Sequence, residues 1–548
     1  MKNRAIITSA LPYANGEIHL GHVASTYLPA DVTTRFLKQN GVEAYYVCAS
    51  DDFGTPILIA SEKEKKSPQE YVAHWNNRDY EDFSAFDIDF DLFYRTSSPE
   101  NIEFVRYVFN NLKKNGHIYE SEIIQFYCKN DKKFLPDRYV IGTCPYCQAA
   151  DQYSDLCEKC GRVPEEIQNP KCALCGASPT KEKTTHYFFR LKNFGEPLFK
   201  WLEENKNLQK DVKKYVQNWI SSGLVDWDIT RDISWGVPIP GDESKVFYGW
   251  FDNHLAYISS TIKLLNDKGL DGKEFWNSAE IYHFIGKDIV YHHYLFLPAM
   301  RLGINSEYKL PDYIPTRGHL TLQSKKISKS RNWYIGLKEF LEFYPADYLR
   351  YYLISINPYS QDDLNFDWDD FMTRINSELI GNLGNLVNRA LGFTKKTFNG
   401  IVPNPGTYDE KDKEAESKIR SLASELSELI KQNHLDRALK KIMEFSGYFN
   451  QYFQHKEPWK KGPGTETCVF LSVNAVYSIS LALCPFLPKS SQKIWEQLGL
   501  SGKISSKPWN SISEMELKSG QKLGEITPVF TRVEESDIKK RKEKFETK

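Results

Sequence analysis

Two short stretches carry residue types that bind polyphosphates. The first, His19-Leu20-Gly21-His22, follows an apolar run and opens a pattern with helical spacing. The first turn of a helix presents free N–H groups and the positive end of its dipole, and imidazoles one turn apart can donate to phosphate oxygens. The glycine lets a flat base or ribose approach the backbone. Alone this pattern is weak, because two surface histidines at the start of a helix look the same.

The second stretch, Lys326-Ile327-Ser328-Lys329-Ser330, places two lysines in a loop. Such a loop suits a mobile clamp on a polyphosphate, although a solvated basic turn has the same composition. The two stretches lie about 300 residues apart. Together, within an α/β frame, they are far more specific than either one, and they predict a nucleotide site.

Cysteine usage predicts a metal site. Six of the ten cysteines lie within residues 144–175, and paired C-x-x-C cysteines in an intracellular chain favour a metal over disulfides. Four of them have the spacing of a four-thiolate zinc knuckle, with ordinary buried thiols as the alternative. These four are Cys144, Cys147, Cys157 and Cys160.

Apolar runs and turn residues predict the frame that positions these stretches. A short buried strand precedes the turn signal Asn15-Gly16, a helix then runs towards Gly41, and a second strand follows. Strand, turn, helix and strand begin a parallel α/β domain, and this pattern resumes after Trp235. The expected strands are 5–10, 44–48 and 280–285, and the expected helices are 18–37 and 290–302.

The remaining chain differs in texture. Between residues 123 and 185, Gly, Pro, Cys and charged residues dominate, which predicts an inserted small domain with little core of its own. After Phe371, apolar residues recur at helical spacing. We therefore expect an α/β protein with a Rossmann-like, doubly wound parallel sheet and a zinc-binding insertion, followed by an all-α helical bundle.

Composition and charge limit the function classes. Hydrophobic residues make up 41% of the 548 residues, which excludes global disorder. The formal net charge of −1 argues against blanket electrostatic binding to nucleic acid but allows a local basic face. The uncharged stretch 467–488 contains serines, an asparagine and prolines, so we expect a buried core helix rather than a membrane span. The N-terminus is a poor signal peptide, and the protein is expected to be soluble and cytoplasmic. The lysine-rich end, 538–548, is expected to fray.

Longer stretches match a known family. They are A-L-P-Y-A-N-G at 10–16, F-L-P-D-R-Y-V at 134–140, G-T-C-P-Y-C at 142–147, T-R-D-I-S-W-G at 230–236, F-I-G-K-D at 284–288 and K-E-P-W at 456–459. With these and the two phosphate-binding stretches, the sequence resembles the class I aminoacyl-tRNA synthetases over nearly its whole length, and within that class the methionyl family. The resemblance implies an ATP-dependent ligase that makes methionyl-adenylate and transfers methionine to the 3′ end of tRNA with a CAU anticodon.

The resemblance also implies domain roles. These are a first catalytic half at residues 1–116, a zinc-binding connective insertion at 117–230, a second catalytic half at 231–325, the lysine loop with a tRNA-stem contact region at 326–365, and an anticodon-binding bundle at 366–548.

At matching positions the resemblance assigns ATP chemistry. An amino-acid carboxylate attacks the α-phosphate in line, so the substrate brings its own nucleophile. The enzyme contributes positioning and charge stabilisation, with Mg²⁺. The implied catalytic residues are His19, His22, Lys326 and Lys329, and the implied ATP-binding residues are His19, Gly21, His22, Gly286, Asp288 and Lys329.

The resemblance puts the methionine pocket among aromatic and aliphatic residues, which a thioether prefers, with a carboxylate for the ammonium group. The implied pocket is Ala10, Leu11, Tyr13, Asp51, Trp250, Asn253, Tyr257 and His293. Many family members have D-A-P-x-x-Y after the tryptophan, where this chain has Asp252-Asn253-His254-Leu255-Ala256-Tyr257.

Further departures surround the pocket. Phe53 replaces a frequent histidine, Leu297 replaces an aromatic residue of some members, and Asn332-Trp333 follows the lysine loop where Gly and a small residue are common. A buried polar group without a partner costs about 1–3 kcal/mol, so Asn253 and His254 must find partners or point away. These changes open the alternatives of inhibitor resistance or a different amino acid.

A second zinc site is an open alternative. Family members with two zincs complete the half-site Cys172-x-x-Cys175 with an upstream C-x-x-C, which here reads Cys128-Lys129-Asn130-Asp131. A Cys3Asp set is chemically possible, with softer selection and weaker binding. The resemblance makes either zinc structural, in an insertion that lies over the active site.

The anticodon positions of the family are matched by Asn385, Arg389 and Trp459. Asn385 and Arg389 are one helical turn apart, and bases of single-stranded RNA are read by stacking and by hydrogen bonds to their edges. A helix surface pair with a tryptophan plugging the bundle is the alternative. We expect no appended dimerisation domain after the bundle and therefore a monomer.

Two rival functions stay open at this point. One is a paralogous synthetase with altered amino-acid or inhibitor specificity, which the pocket departures favour. The other is a non-catalytic tRNA-binding regulator. The intact H-L-G-H and K-I-S-K-S stretches speak against the second, because such a protein does not need a phosphate clamp.

Overall fold

The central sheet is parallel and has five strands. The computed structural model describes residues 3–154, 157, 159–160, 162, 164–329 and 332–546. Ser330 of the lysine loop lies outside the described residues. Along the sheet the strands are Thr316–Arg317, Glu280–Gly286, Arg4–Ser9, Glu43–Ser50 and Leu92–Arg95. The predicted parallel α/β fold is confirmed.

Register aligns the strand ends that form the site. Ala5 lies opposite both Ala44 and Glu280, so the strand Arg4–Ser9 lies between the strands Glu43–Ser50 and Glu280–Gly286. Every residue of the strand Glu280–Gly286 except Glu280 is buried, as expected for a parallel strand covered on both faces. Ligands of such sheets collect outside the carboxyl ends of the strands, which here carry Ala10, Asp51 and Gly286.

Helices cover both faces of this sheet. The predicted first helix is present but contains a π turn, so Leu20–His22, Val23–Tyr27 and Leu28–Gln39 follow one another without a break. Π turns occur often at functional sites. The other helices of this part are Thr55–Glu64, Pro68–Ala85, Pro99–Lys114, Gly249–Asp252, Asn253–Leu255, Ala256–Asp267, Gly272–Ser278, Lys287–Ile289, His292–Phe296 and Leu297–Gly303.

The insertion is built on a long antiparallel ribbon that the sequence did not suggest. Ile118–Cys128 pairs with Thr180–Phe189 over ten residues. Near its far end lie the cysteine pairs. The other strands here are Lys133–Phe134, Val140–Thr143, Gln152–Tyr153, Gln168–Cys172, Trp227–Asp228, Thr230–Arg231, Pro238–Ile239 and Asp242–Phe247, and the helices are Asp137–Tyr139, Leu191–Phe194, Gly195–Glu204 and Lys210–Ser221.

A small three-stranded sheet connects the lysine loop to the bundle. Its strands are Leu320–Leu322, Lys325–Lys326 and Leu364–Phe366. The helices that follow are Leu337–Leu341, Ala346–Ser355, Trp368–Arg374, Ile375–Gly384, Asn385–Thr397, Glu410–Lys431, Leu435–Lys456, Pro458–Lys460, Thr465–Leu483, Pro488–Gln497, Ile504–Ser506, Trp509–Ser513 and Glu535–Glu546. The predicted helical bundle is confirmed.

The apolar helix Thr465–Leu483 lies in the centre of the bundle. It is long and apolar enough to cross a membrane by length and composition, but 94% of its most apolar window is buried inside the protein. One continuous hydrophobic core joins this helix to one face of the central sheet, and a second core fills the space between the other face and the insertion. The expectation of a core helix is confirmed.

The expectation of a frayed C-terminus is wrong for residues 538–546. Glu535–Glu546 forms a helix, here called the terminal helix, which packs against the segment that follows the lysine loop. Phe545 is buried and packs edge-on against Trp333, with ring centroids 5.0 Å apart. Lys544 pairs with Glu339 at 2.6 Å. Two apolar residues, Ile538 and Phe545, bury enough surface to hold a segment that reads as charged.

Candidate functional site

One cavity at the carboxyl edge of the sheet gathers nearly all the residues predicted to bind ATP and the amino acid. Its volume is about 470 Å³. The predicted residues that line it are Ala10, Leu11, Tyr13, His19, Gly21, His22, Asp51, Trp250, Asn253, Tyr257, Gly286, Asp288, His293 and Lys329. Lys326 is not among the described lining residues, because it lies on an exposed strand.

His19 and His22 form a stacked pair at the start of the first helix. The Gly21 N–H donates to His19 Nδ1 at 3.1 Å, and the His19 N–H donates to His22 Nδ1 at 3.2 Å. Their ring centroids are 3.7 Å apart. Since both Nδ1 atoms accept hydrogen bonds, a neutral ring carries its proton on Nε2. The backbone of the helix start thus turns two Nε2–H donors outward.

Desolvation keeps the two rings neutral. Burial in the cavity wall, and then the charge of Lys329, lower the pKa of His19 to about 3. The pKa of His22 is also well below its usual value, first through burial and then through His19 and Lys329. At neutral pH the pair therefore acts as two fixed dipoles and not as cations. Such donors stabilise charge that develops on a phosphate without changing their own protonation.

Gly21 lies in a closely packed position. A Cβ at this position would lie 3.1 Å from the His19 ring and 3.1 Å from Ile327 of the lysine loop. Lys329 Nζ would lie 3.1 Å from a Cβ added to Gly16. The turn before the helix and the lysine loop therefore pack closely, and a side chain at Gly16 or Gly21 would require its neighbours to shift by a few tenths of an ångström.

Backbone hydrogen bonds join the start of the first helix to the segment that follows the lysine loop. The Leu20 N–H donates to the Ile335 carbonyl at 3.2 Å, and the Leu337 N–H donates to the Ile18 carbonyl at 2.8 Å. Tyr334 donates its hydroxyl to Glu17 at 2.6 Å. The segment after the lysine loop thus lies along the start of the first helix, which the sequence separation of about 300 residues conceals.

Asp288 and Gly286 lie at the end of the neighbouring strand. Asp288 Oδ1 contacts His319 Nε2 at 2.9 Å, and a Cβ on Gly286 would lie 2.6 Å from that same oxygen. Sequence reasoning missed His319, which also lines the cavity. Its signal was weak, since it is a lone histidine in a connecting segment. The other lining residues that were missed are Pro12, Asn15, Ser25, Thr26, Tyr27 and Ile289, whereas His254, which the sequence marked as a polar departure near the pocket, lines the cavity.

Asp51 provides a buried carboxylate beside the cavity. Its Oδ2 accepts from Asn253 Nδ2 at 3.2 Å, while Oδ1 has no hydrogen-bond partner among the described residues. Burial raises the pKa of Asp51 to about 7, against the lowering effect of the Asn253 hydrogen bond. The departure at Asn253 thus has a structural purpose, because its amide stabilises the ionised form of this carboxyl group.

Tyr257 and His293 form the aromatic end with Trp250. The Tyr257 hydroxyl and His293 Nε2 are 3.0 Å apart, and His293 Nδ1 lies 3.1 Å from the Ile289 carbonyl. Because a carbonyl only accepts, His293 carries its proton on Nδ1 and Nε2 accepts from the tyrosine. Trp250 stacks on His292 with centroids 3.9 Å apart. This end is lined by aromatic rings, and the polar atoms of Tyr257 and His293 are already hydrogen-bonded.

A buried network behind the pocket fixes Tyr257. Its ring stacks on His283, with centroids 4.9 Å apart. His283 Nε2 accepts from Arg301 Nη2 at 3.1 Å, and its Nδ1 is 2.6 Å from Thr8 Oγ1. Burial lowers the pKa of Arg301 to about 9. Residues from three separate elements therefore hold the Tyr257 ring in place. No local sequence pattern indicates that these elements meet.

The remaining departures lie outside the cavity. Phe53 packs against Trp235 with centroids 5.2 Å apart and lines a neighbouring cavity of about 240 Å³. Leu297 is fully buried in the core. Neither belongs to the described lining of the large cavity.

Two groups of possible metal ligands lie in the insertion. They are Cys144, Cys147, Cys157 and Cys160 in one group, and Cys128, Asp131, Cys172 and Cys175 in the other. Within each group the ligand atoms lie within 4.8 Å of one another.

The first group has the geometry of tetrahedral thiolate coordination. Zinc–sulfur bonds of about 2.3 Å in a tetrahedron separate the sulfurs by about 3.8 Å. The Cys144–Cys160 and Cys147–Cys157 sulfurs are 3.8 and 3.6 Å apart. The donor set fits Zn²⁺ in both chemistry and spacing.

The second group is equally compact but carries one carboxylate. Asp131 Oδ2 lies 3.1 Å from Cys128 Sγ and 3.0 Å from Cys172 Sγ, and the Cys128 and Cys175 sulfurs are 3.5 Å apart. The fold thus brings together all four residues that the sequence suggested. Three soft donors and one hard donor also fit Zn²⁺, with weaker selection.

The insertion packs close to the cavity. Leu58, on the helix that follows Asp51, shares a small core with Cys128, Tyr139 and Cys172. Trp235 donates its indole N–H to the Asp52 carbonyl at 2.6 Å. A change in the metal-binding part can therefore reach the backbone next to Asp51.

The predicted anticodon residues lie on one face of the bundle. Asn385 Nδ2 donates to Asn450 Oδ1 at 2.8 Å, and Arg389 Nη2 donates to Gln454 Oε1 at 3.0 Å. Trp459 is 42% exposed, so it does not plug the bundle. Asn450 and Gln454 were not predicted, although their spacing of four residues on one helix matches that of Asn385 and Arg389.

Fold and site together define a class I, amino-acid-activating tRNA ligase. A family model described as tRNA synthetases class I (M) matches residues 5–391, and one described as the anticodon-binding domain of tRNA ligase matches residues 412–545. The chain belongs to the class I tRNA synthetase family, in the branch that the methionine enzymes form.

Named relatives agree with this assignment. The chain is 41% identical to the methionine–tRNA ligase of Methanopyrus kandleri over 98% of its own length and 81% of that protein. It is 40% identical to that of Pyrococcus furiosus over 98% of its own length and 76% of that protein. A solved structure of Mycobacterium tuberculosis methionyl-tRNA synthetase in complex with methionyl-adenylate superposes with a TM-score of 0.81, at 24% identity, over 97% of this chain and 100% of that chain. That likeness shows the fold.

Proposed function

We propose that the chain joins methionine to tRNA in two steps, through methionyl-adenylate. Family membership carries the reaction class. The cavity supports the chemistry, because phosphate-directed donors and an aromatic pocket with a carboxylate open into one space of about 470 Å³. A non-catalytic regulator is not favoured, since it has no use for this arrangement.

In the first step a carboxylate oxygen of methionine forms a bond to the α-phosphorus of ATP. The bond from that phosphorus to the bridging oxygen breaks, and pyrophosphate leaves. The Nε2–H groups of His19 and His22 and the Lys329 ammonium stabilise the negative charge on the phosphate oxygens. Gly286 and Asp288 hold the ribose.

The amino acid is oriented by the opposite end of the cavity. The Asp51 carboxylate pairs with the α-ammonium group, while Trp250, Tyr257 and His293 surround the thioether together with Leu11 and Tyr13. Positioning the carboxylate against the α-phosphate replaces a bimolecular encounter with a bound geometry, which lowers the entropic part of the barrier.

In the second step a terminal ribose hydroxyl of the tRNA attacks the carbonyl carbon of the adenylate. The ester bond forms and AMP leaves with the electron pair of the broken bond. Trp459 stacks on an anticodon base, and Asn385 and Arg389 hydrogen-bond base edges. We propose that the anticodon is CAU. We also propose that the chain acts as a monomer in the cytoplasm, with the domain boundaries set out from the sequence.

Two metals belong to this proposal. The Cys144 group, and with weaker affinity the Asp131 group, would each hold a Zn²⁺ that fixes the loops of the insertion. Mg²⁺ enters with ATP, held mainly by the phosphates. Metal content of the purified protein tests the zinc assignment. Two equivalents are expected in the parent chain, one in Asp131→Ala and one in Cys144→Ser, and a parent chain without zinc contradicts it.

Amino-acid-dependent pyrophosphate exchange, measured with each of the twenty amino acids, tests the first step. Methionine is expected to give the highest kcat/KM. Charging of methionine tRNA then tests the second step. A better substrate than methionine would contradict the proposed function, and exchange without charging would contradict the tRNA part alone.

A further inference from the structure

His254 is a buried side chain that the proposed mechanism does not use. It lies in the short turn Asn253–Leu255, between the helix that carries Trp250 and the helix that carries Tyr257. Its side chain is 1% exposed and lines the large cavity. Neither of its ring nitrogens has a hydrogen-bond partner in the part of the chain that the structure describes. Asn253, the preceding residue, does find a partner in Asp51.

The surroundings of His254 place it at the side-chain end of the cavity. Its ring lies perpendicular to that of His293, with centroids 4.8 Å apart, and 5.4 Å from the Trp250 ring. His293 is engaged at both nitrogens, by Tyr257 and by the Ile289 carbonyl. His254 is therefore an imidazole of this wall whose two nitrogens have no protein partner among the described residues. Both nitrogens are covered in the empty cavity, so a contact with a ligand requires the ring to turn towards it.

The ring is neutral at physiological pH. Burial, followed by the neighbouring His293, His292, His283 and Arg301, keeps the pKa of His254 well below its usual value. A neutral imidazole offers one N–H donor and one acceptor. A buried donor without a partner destabilises the empty pocket, and a ligand atom that accepts from it removes this penalty.

We propose that His254 is a specificity-determining residue that donates its N–H to a heteroatom in the substrate side chain. It selects linear amino-acid side chains with a hydrogen-bond acceptor near the end, such as a thioether, over hydrocarbon chains of the same length. This inference rests on the proposed methionine activation and adds a polar contact to a pocket otherwise shaped by aromatic rings.

Norleucine is the probe that isolates this contact. It has the length and nearly the shape of methionine, with a methylene group in place of the sulfur atom. It fills the same aromatic walls but cannot accept from His254, so the donor stays unpaired. A pocket that recognises only shape discriminates weakly between such isosteres, whereas one with an unpaired donor rejects the chain that lacks the acceptor.

The measurement is the ratio of kcat/KM for methionine to that for norleucine in pyrophosphate exchange. His254→Phe keeps a ring of similar size and removes both nitrogens. We expect the ratio to fall about three- to tenfold, which is the effect of one net hydrogen bond. The change should appear in the KM for methionine, with kcat altered less than twofold, because the contact holds the side chain and not the reacting atoms.

Three further variants keep the test decisive. His254→Gln retains an N–H donor and is expected to keep the ratio within about twofold of the parent value. His254→Leu repeats the truncation with a smaller side chain should phenylalanine overfill the turn. His292→Phe is the matched control, since His292 is a second buried histidine next to Trp250 but is not among the described lining residues of the cavity.

An unchanged ratio in both His254→Phe and His254→Leu overturns the inference, as does an equal fall in His292→Phe. Either result leaves methionine activation intact. If the parent protein shows no methionine-dependent exchange, the proposed function itself fails. The two failures are therefore separated by the parent chain alone.

Discussion

The cavity and the bundle face that carries the predicted anticodon residues have side chains of opposite exposure. In the cavity, Asp51, Asn253 and His254 are each less than 5% exposed, and hydrogen bonds fix their neighbours. On the bundle face Trp459 is 42% exposed, and Asn385 and Arg389 donate to the side-chain amides of Asn450 and Gln454. In the proposed function the first region is preorganised for charge development, and the second offers an open surface to a flexible RNA loop.

The difference teaches that the two regions serve separable steps. Low-dielectric burial strengthens electrostatic contacts and shifts pKa values, which a chemical step exploits. Exposed aromatic and amide groups form contacts with unstacked bases at little desolvation cost. We therefore expect variants in the cavity to affect both adenylate formation and charging, and variants on the bundle face to affect charging alone.

The largest effect is expected from Lys329→Ala. Removal of the ammonium group next to the phosphate end should lower kcat for pyrophosphate exchange by about 10²–10³-fold, as for the loss of one donor to a developing oxyanion. Charging should fall by the same factor, and the KM for methionine should stay unchanged. Lys326→Ala removes an equal charge from the exposed strand and should cost less than tenfold. Equal losses in the two variants would contradict the division of the two lysines.

The next largest effect is expected from Trp459→Ala. Stacking of one base on an aromatic ring is worth about 1–3 kcal/mol, so kcat/KM for tRNA charging should fall about 5- to 150-fold. Pyrophosphate exchange without tRNA should not change. Tyr80→Ala, which removes an aromatic side chain of similar exposure from the α/β part, is the control. A loss of exchange activity in Trp459→Ala would show that the two regions are not separable.

A pH effect of about fivefold should be confined to the cavity. Because burial raises the pKa of Asp51 to about 7, the free enzyme loses its ionised carboxylate as the pH falls through 7. The value of kcat/KM for methionine should then drop about fivefold from pH 7 to pH 6, and about tenfold for each further pH unit, where the protonated form dominates. Removal of the hydrogen bond in Asn253→Ala should move this midpoint to higher pH.

The stability contribution of Asp51 has the opposite direction. Its pKa in the folded chain lies above the unfolded value, so the protonated form favours folding at low pH and this contribution is lost as the pH rises through about 7.

The KM for tRNA should show no inflection near pH 7. An inflection there with the same midpoint would assign the titration to the bundle face instead.

The smallest effect is expected at the contact between the terminal helix and the segment that follows the lysine loop. Phe545→Ala removes the terminal-helix ring that packs on Trp333, beyond the lysine loop. Coupling through one packed contact is worth about 0.5–1 kcal/mol, so the KM for ATP should rise about two- to fivefold with little change in the KM for tRNA. Phe545→Leu, which keeps an apolar side chain, should restore most of the loss. No change in either variant would show that the terminal helix does not influence the loop.

The sequence by itself determined the parts whose chemistry is local. The start of the first helix, its histidine pair, the lysine loop and the paired cysteines follow from short patterns in which neighbouring residues carry the whole function. The parallel α/β frame and the helical bundle followed from periodicity, because burial of one face repeats along each element.

Only the tertiary structure decided which of these parts meet. The Asn253–Asp51 hydrogen bond joins residues about 200 positions apart, and the unpartnered state of His254 depends on every neighbour in its turn. The terminal helix is ordered by packing against Trp333, which precedes the helical bundle in the sequence. These outcomes depend on packing between distant segments, and a single sequence carries no period or spacing that reports it.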